Sequence, residues 1–334
     1  MLVLTQTHDA HARRVAELLV NRGCAVTVFD PADFPSRAAL TTEYSPGGDL
    51  RRTLVCRGDR IDLGALTAVW FRRPGEPRAH DGITERPIRE YIEEECEAYA
   101  SATWDDLDAL AVPGTRAAIR LAGRKPAQLG LAGRLGFELP PTLITTEPNQ
   151  FLDFWDHHEG RVITKPLQRN WLARGDESYA RMAECATTND VAASDALELC
   201  PLIVQAYVPK QVELRVTVVG TEVFAAQIHS QESNHTRLDW RCYDPATTRH
   251  ATHRLPDDVA ARCRQLVADL ALRYGAIDLI LTPDGRYVFL EINPSGQWLW
   301  IEDATGLPIS AALCDLLLSG ARQSVPRHPT GALL

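Results

Sequence analysis

The sequence lacks the short motifs that mark several common protein classes. Its eight cysteines include no C-x-x-C pair, so neither a zinc knuckle nor a redox motif is indicated, and we expect reduced, mostly buried thiols. No P-loop, G-x-S-x-G or H-E-x-x-H motif occurs, and no G-x-G-x-x-G follows the first predicted strand. Walker-type nucleotide binding, hydrolase chemistry and a dinucleotide-binding Rossmann domain therefore find no support.

Long apolar runs and an excess of positive charge are also missing. No window reaches the roughly 18 apolar residues that cross a bilayer, and the N-terminus has neither the basic start nor the cleavage site of a signal peptide. Lysine and arginine number 35 against 44 acidic residues, a formal charge of -9. These absences predict a cytoplasmic protein that binds neither membranes nor nucleic acid.

The composition that is present fits a folded enzyme of two or three domains, with 334 residues of which 45% are hydrophobic. The chain opens as a βαβ unit, with a short strand at Leu2–Thr5, an amphipathic helix and a second strand at 25–29. This pattern predicts an open α/β sheet. A polar stretch from about 35 to 58 then leads to another strand at 68–71.

Two adjacent arginines follow that strand. Arg72 and Arg73 must face opposite sides if the strand continues, so that one side chain is available to line a cleft while the other lies in solvent. The alternative for either residue is a solvated or structurally paired arginine. The acidic segment from about 85 to 110 has the apolar spacing of a helix, and its run Glu93-Glu94-Glu95 is interpreted as a solvated face.

Strands in the second half of the chain carry polar residues at defined places. Lys165 stands at the end of a strand that begins at 161, and the apolar run 202–208 predicts a buried strand. The segments 213–219 and 223–228 predict a hairpin that presents Glu213 and Arg215 on one face. A helix is predicted from 257 to 274, before a last hairpin.

The last hairpin brings three oxygen-bearing side chains together. Asp278 lies in its first strand, and Glu291 and Asn293, two residues apart, lie on one face of its second strand. Hard oxygen donors without His or Cys suit Mg²⁺, which takes one or two carboxylates together with phosphates and water. The alternative is a chance placement of polar residues at a strand end.

These segments resemble a known family. Gly275-Ala276-Ile277-Asp278-Leu279-Ile280 and Leu290-Glu291-Ile292-Asn293-Pro294 look like the metal-binding core of the ATP-grasp carboxylate ligases. Ser295-Gly296-Gln297-Trp298-Leu299-Trp300 narrows the resemblance to the peptide-modifying branch that includes the microviridin ligases, or graspetide synthetases. Trp70-Phe71-Arg72-Arg73-Pro74, Lys125-Pro126-Ala127-Gln128-Leu129 and Asp239-Trp240-Arg241 are similar in order and spacing, so that the resemblance reaches to about residue 320.

The resemblance implies an α/β protein with the ATP-grasp fold and an α+β lid. The expected divisions are an N-terminal open α/β pre-ATP-grasp domain at 1–115, a central lid domain at 116–203, a C-terminal domain with the metal site at 204–320, and a mobile tail at 321–334. In similar enzymes the adenine lies between two β-sheets.

The resemblance also implies roles for individual residues. ATP binding is expected of Lys125, Lys165, Gln205, Ala206, Tyr207, Val208 and Glu213. The metal ligands are Asp278, Glu291 and Asn293, the catalytic residues are Arg215 and Arg241, and the peptide-binding residues are Arg72, Arg73 and Arg237. The loop after Lys165 is less glycine-rich than the phosphate-covering loop of many relatives, so the sequence leaves open how the triphosphate is covered.

The implied reaction uses ATP with Mg²⁺, or Mn²⁺ in its place, to convert an Asp or Glu side-chain carboxylate of a ribosomal precursor peptide into an acyl phosphate. A Lys amine or a Ser or Thr hydroxyl of the same peptide then closes a macrocyclic ω-amide or ω-ester. Two alternatives stay open: a ligase that acts on free amino acids or a protein tail, and a non-catalytic nucleotide- or peptide-binding protein. The oligomeric state is open as well, with a homodimer as one possibility.

Overall fold

The computed structural model describes residues 1–168, 171–174, 177–232 and 248–323. Two of the predicted arginines, Arg237 and Arg241, lie outside the described residues, as does the Asp239-Trp240-Arg241 segment. The predicted tail at 321–334 begins inside a helix that continues to Gln323, and from residue 324 it also lies outside the described residues.

The structure is a mixed α/β protein, as predicted. The helices are α1 (Ala10–Asn21), α2 (Arg86–Asp105), α3 (Arg116–Ala122), α4 (Lys125–Arg134), α5 (Pro148–His157), α6 (Thr188–Ala192), α7 (Asp257–Asp269), α8 (Leu299–Thr305) and α9 (Ile309–Gln323). In the parts of the chain that are described, no helix combines the length and the apolar character needed to cross a membrane.

The strands belong to several sheets. In chain order they are β1 (Leu2–Thr5), β2 (Thr27–Phe29), β3 (Ala38–Tyr44), β4 (Leu50–Cys56), β5 (Asp59–Asp62), β6 (Ala68–Arg73), β7 (Leu110–Val112), β8 (Thr142–Thr145), β9 (Val162–Lys165), β10 (Trp171–Arg174), β11 (Glu177–Ala180), β12 (Glu184–Cys185), β13 (Leu202–Ala206), β14 (Val212–Val219), β15 (Glu222–Ile228), β16 (His250–Thr252), β17 (Tyr274–Leu281) and β18 (Tyr287–Asn293).

Residue contacts divide the chain into two compact units. The first contains Met1–Ala117, Leu272–Tyr274 and the residues from Pro308 onward, and the second contains Ala118–Ala271 and Gly275–Leu307. The three-domain division proposed from the sequence stays a prediction.

A parallel sheet in the order β2-β1-β6-β7 forms the centre of the first unit. β1 pairs in parallel with β2 and β6, and β6 pairs in parallel with β7. Every residue of β1 is buried, as expected for a central strand that is covered on both faces. Helix α9 packs against α1, and Arg22, the residue that follows α1, forms an ion pair of 2.6 Å with Asp315 of α9. The predicted open α/β sheet is confirmed.

The polar stretch at 35–58 holds strands that the sequence did not indicate. β3, β4 and β5 form an antiparallel three-stranded sheet. Few of its residues are buried, among them Leu40, Leu54 and Cys56, whereas Tyr44 is 75% exposed. Because the solvent-facing positions carry Thr, Glu and Arg, apolar alternation is too sparse to identify these strands from the sequence.

Two sheets dominate the second unit. One has the order β12-β9-β13-β8 and the other has the order β16-β15-β14-β17-β18. The predicted hairpin of β14 and β15 is confirmed, with Gly220 at a φ of 58° in its turn. All eight residues of β14 are buried, so both of its faces are covered and its charged side chains need partners inside the protein.

The predicted helix from 257 to 274 is too long. Helix α7 ends at Asp269, Ala271 has a φ of 54°, and β17 already begins at Tyr274. The apolar residues Leu270 and Leu272 continue the helical spacing, but the left-handed backbone at Ala271 reverses the chain and feeds it into the sheet.

Two helical glycines provide a test of the packing. A Cβ on Gly320 of α9 would meet the Thr67 carbonyl oxygen and lie 2.9 Å from Leu110 Cβ, whereas one on Gly130 of α4 would lie 3.6 Å from the flexible end of Arg134. We expect Gly320→Ala to lower the free energy of unfolding by about 1–3 kcal/mol through overpacking. The matched Gly130→Ala should raise it by up to about 1 kcal/mol, because alanine favours the helix. Urea denaturation measures both changes, and equal stability of the two variants would contradict this packing.

Candidate active site

A cavity lies between the two main sheets of the second unit. Its apolar walls include Ile163 of β9, Ile280 of β17 and Leu290 of β18. Lys165 and the segment Gln205–Val208 line the same cavity. The structure therefore brings together five of the residues predicted to bind a nucleotide. An apolar slot with a lysine beside it suits a planar ring that carries an anionic tail.

The backbone of this segment is partly used within the fold. The Ala206 N–H donates to the Pro141 carbonyl at 2.9 Å, and the Tyr207 N–H donates to the Arg161 carbonyl at 2.9 Å. Recognition of a ring edge by these two donors would require breaking existing hydrogen bonds. Val208 carries the next N–H along the segment, so we expect it to be the donor that a bound ring meets.

Glu213 is held by a lysine that sequence reasoning missed. Lys210 lines the cavity and its Nζ forms an ion pair with Glu213 Oε1, with side chains only 7% and 5% exposed. Lys210 lies in the connection that precedes β14, and Glu213 is the second residue of that strand, so their spacing of three residues does not by itself predict a contact. Only the folded turn shows that Lys210 neutralises and orients the carboxylate predicted to bind a ribose.

The three predicted metal ligands lie on one face of the hairpin of β17 and β18. Asp278 is directly opposite Glu291, and Ala276 is opposite Asn293. The register then shifts so that Leu279 faces Phe289, which leaves Leu290 as the extra residue of a β-bulge. A bulge changes the direction of the side chains next to it. The adjacent residues Leu290 and Glu291 therefore both contribute to the site: Leu290 lines the cavity, and Glu291 pairs with Asp278.

Basic side chains neutralise both carboxylates. Arg215 Nη1 lies 3.2 Å from Asp278 Oδ1, and Lys125 Nζ forms an ion pair with Glu291 Oε2. All four side chains are largely buried, from 7% exposed for Arg215 to 21% for Lys125. Two facing carboxylates are tolerated in this largely buried environment because each is paired with a basic side chain. Removal of one partner from a buried ion pair typically costs about 3–5 kcal/mol of folding stability.

The donor set fits a hard divalent cation. Asp278 and Glu291 supply carboxylate oxygens, and Asn293 supplies an amide oxygen that already accepts a hydrogen bond from the Ser295 N–H at 2.8 Å. In the described part of the chain, no three His, Cys, Asp or Glu side chains cluster as a complete metal site. Mg²⁺ matches this arrangement, because it commonly takes only one or two carboxylates and completes its shell with phosphate and water.

Gln128 is a further residue whose position the sequence did not reveal. Its Oε1 accepts from the Ile292 N–H at 3.1 Å, and its Nε2 donates to the Ile292 carbonyl at 2.9 Å and to the Ala122 carbonyl. The side chain is 1% exposed. The Gln128 amide therefore satisfies both backbone groups of Ile292, as a neighbouring strand would, and fixes β18 between Glu291 and Asn293.

An aromatic side chain also contacts Arg215. Arg215 Cζ lies 5.8 Å from the ring centroid of Trp300, and the His250 ring lies 5.2 Å from that of Trp300 in an edge-on arrangement. A guanidinium over an indole gains about 0.5–2 kcal/mol and is held in one orientation. Burial, followed by the proximity of His229, lowers the pKa of His250.

The adjacent arginines of the first unit point to opposite sides, as predicted. Arg72 is 1% exposed and its Nε lies 3.3 Å from Asp9 Oδ2, whereas Arg73 is exposed. In this structure Arg72 is therefore paired with Asp9 in the interior of its own unit. A peptide-binding role for either arginine stays a prediction.

Known proteins resemble this chain along nearly its whole length. A family model described as the MvdD pre-ATP grasp domain matches residues 1–116. A RiPP-associated ATP-grasp ligase from Chryseobacterium gregarium, solved with ADP and a leader and core peptide, is 27% identical, with a TM-score of 0.88 over 95% of this chain and 96% of that chain. A comparison with curated proteins found no match.

Two macrocyclases from Microcystis aeruginosa MRC are similar as well. MdnC, solved with its precursor peptide MdnA, is 27% identical, with a TM-score of 0.84 over 95% of this chain and 99% of that chain. MdnB is 31% identical, with a TM-score of 0.77 over 95% of this chain and 98% of that chain.

The contacts of Gln128 lead to a stability prediction. Gln128→Leu leaves buried backbone groups of β18 without partners, and we expect the free energy of unfolding to fall by roughly 2–4 kcal/mol. The matched control is Gln265→Leu on α7, where an exposed side chain makes one hydrogen bond to Asp269 and the change should stay within about 0.5 kcal/mol. If chemical denaturation gives the same stability for both variants, Gln128 does not fix β18.

Proposed function

Since this chain belongs to the peptide-modifying ATP-grasp ligases, the branch that includes the microviridin ligases, we propose that it uses ATP to join two side chains of a ribosomal precursor peptide. The observation that carries the proposal is the cavity between two sheets, which has Lys165 on its wall, in the same unit as the Asp278, Glu291 and Asn293 face. Similarity to ligases solved with ADP and with precursor peptides supports it.

In this proposal the cavity receives the adenine and the basic side chains receive the phosphates. Ile163, Ile280 and Leu290 pack against the ring, and Lys165 extends toward the phosphates as a long point charge. Glu213, oriented by Lys210, accepts hydrogen bonds from the ribose hydroxyls. Lys125, at the N-terminal end of α4, lies beside Glu291 and serves as a second phosphate-facing cation.

Asp278, Glu291 and Asn293 would hold Mg²⁺, or Mn²⁺ in its place. The bound cation supplies neutralisation of phosphate charge. Lys125 and Arg215 then no longer balance the two carboxylates alone, and each is available to an anionic oxygen of a substrate. The two carboxylates of this face can therefore bind a cation while its two basic side chains bind an anion, so that the charges that enter partly offset each other.

The proposed reaction has two steps. An Asp or Glu carboxylate oxygen of the peptide attacks the γ-phosphorus of ATP, and ADP leaves with the bridging oxygen, which gives an acyl phosphate. A Lys amine or a Ser or Thr hydroxyl then attacks the acyl carbon, loses its proton, and expels inorganic phosphate. Arg215, fixed by Asp278 and Trp300, stabilises the charge that develops on the transferred phosphoryl group. The product is a macrocyclic ω-amide or ω-ester.

Arg241 as a second catalytic arginine, and Arg72, Arg73 and Arg237 as contacts of the peptide, belong to the same proposal. A ligase for free amino acids or a protein tail would share every nucleotide contact, and similarity to a macrocyclase solved with its precursor peptide favours the peptide. A non-catalytic binding protein is disfavoured because Lys165, Asp278, Glu291 and Asn293 are all present.

Mass spectrometry of a co-expressed precursor peptide tests the function. We expect each bond to remove the mass of one water, and tandem fragmentation to locate the ring. The purified enzyme should release one phosphate per bond in the presence of ATP and Mg²⁺, and EDTA should abolish the release. An unchanged peptide mass together with phosphate release on free amino acids would favour the alternative ligase.

The metal assignment has a matched control within one hairpin. Asp278→Asn removes a buried carboxylate from the proposed metal face, and we expect phosphate release to fall by at least about 100-fold, on the scale of a lost transition-state charge interaction. Asp284→Asn makes the same chemical change in the exposed turn, where hydrogen bonds from Arg286 lower the pKa of Asp284 to about 2. This control should keep its activity, and equal activity of the two variants would refute the assignment of Asp278.

A further inference from the structure

A second, strongly polar cavity lies in the first unit, at a particular point of its parallel sheet. In the order β2-β1-β6-β7, the chain leaves β1 through α1 toward one edge of the sheet and leaves β6 through α2 toward the other. The connections therefore diverge between β1 and β6. Ligands of open α/β sheets bind outside the carboxyl ends of the strands at such a switch point.

The loops that leave these two strand ends form the cavity. Gln6 follows β1 directly, Pro74 and Gly75 follow β6 directly, and all three line a cavity of about 450 Å³. This volume is within the range of roughly 300–1,000 Å³ that is common for ligand pockets.

The loop after β6 is held on several sides. The Gln6 N–H donates to the Arg73 carbonyl at 2.8 Å, and the Arg78 N–H donates to the Phe34 carbonyl at 3.1 Å. Gly75 packs so closely on Asp30 that a Cβ would lie 2.5 Å from its Oδ1. The wall is therefore preorganised, and a ligand would not have to spend binding energy to order it.

Helix α2 closes the cavity with an ion pair. Arg89 Nη2 lies 3.4 Å from Glu93 Oε1, the same oxygen accepts from the Ala79 N–H at 3.1 Å, and Arg89 Nη1 donates to the Ile83 carbonyl at 3.1 Å. Glu93, interpreted from the sequence as part of a solvated face, is in fact half-buried and links α2 to the loop after β6.

Unlike Arg89 and Glu93, two charged side chains of the cavity lining form no ion pair with any residue that the structure describes. Within the described residues, neither the Arg78 guanidinium nor the Glu76 carboxylate has an ion-pair partner in the protein, although both line the cavity. A guanidinium matches a carboxylate in shape and charge, and a carboxylate accepts from an ammonium or a hydroxyl. Glu76, Asp81 and Glu93 all line the cavity, and this local negative charge disfavours a polyanion such as a nucleotide.

We propose that this cavity binds a charged segment of the peptide substrate, with a peptide carboxylate on Arg78 and a peptide ammonium or hydroxyl on Glu76. The assignment of a peptide rests on the proposed function, in which the substrate must carry both kinds of side chain. The cavity holds an ionic segment through the polar ends of its side chains, and the loop after β6 sets the register of that segment.

Charge reversal tests the proposal in the assay of peptide modification. We expect Arg78→Glu to raise the KM for the peptide roughly 10- to 100-fold, the scale of one lost hydrogen bond between charged groups, while the KM for ATP is unchanged. Arg86→Glu on α2 is the matched control, since Arg86 is 87% exposed, pairs with Glu90 and lies outside the cavity lining. An Arg78→Glu enzyme with the wild-type KM for the peptide would overturn the proposal while the proposed function stands.

A binding measurement separates the two hypotheses. Saturation-transfer NMR would compare the acetylated pentapeptide Gly-Asp-Lys-Ser-Gly with its neutral analogue Gly-Asn-Gln-Ser-Gly. The wild type and Arg86→Glu should bind the charged peptide, with weaker binding in high salt, and Arg78→Glu should lose it. If no peptide is ever modified, the proposed function fails, yet this titration still decides whether the cavity binds a charged peptide. Equal binding of both pentapeptides, or of neither, would refute the cavity's role.

Discussion

The structure of the second unit depends on a pair of carboxylates that face each other across two neighbouring strands. Asp278 and Glu291 would repel each other and lose hydration if they stood alone, so the fold must supply positive charge at the same place. Arg215 and Lys125 provide it from β14 and α4. Ion pairs therefore link β14 and α4, which are distant in sequence, to one hairpin. The same two basic residues that neutralise Asp278 and Glu291 in the absence of substrate would contact the phosphates in the proposed reaction.

A second set of contacts keeps this arrangement in register. Gln128 holds the backbone at Ile292, between Glu291 and Asn293, while the bulge at Leu290 lets adjacent residues face the cavity and the carboxylate pair. Arg215 contacts both the Trp300 ring and Asp278. In the proposed reaction the protein acts mainly by holding charged groups in place. The contacts of Gln128, the bulge at Leu290 and the ring of Trp300 hold them there.

Net charge describes the surface of this protein and not its sites. The chain carries a formal charge of -9, yet the proposed phosphate-facing groups Lys125, Lys165 and Arg215 are basic. In the first unit, the cavity at the switch point has charges of both signs, with Arg78 and Arg89 beside Glu76, Asp81 and Glu93. An acidic protein can therefore bind an anion at the basic residues of its second unit, while the acidic residues of the cavity in its first unit disfavour a nucleotide there.

The sequence by itself determined the order of the main elements and the chemistry of the hairpin. β1, the β14–β15 hairpin and the face shared by Asp278, Glu291 and Asn293 follow from apolar runs, alternation and turn residues, because such patterns depend only on neighbours in the chain. The strands at 38–62 were missed because their apolar positions are too sparse, and the helix after 257 was extended too far because a left-handed residue leaves no mark on apolar spacing.

Only the tertiary structure decided which residues meet across the chain. Lys125 contacts Glu291 and Gln128 contacts Ile292, and these pairs join segments that are far apart in the sequence. The bulge at Leu290 arises from strand register, and the position of the cavity beyond the carboxyl ends of β1 and β6 arises from strand order. Those properties come from the competition of all possible pairings in the folded chain, and local sequence does not encode them.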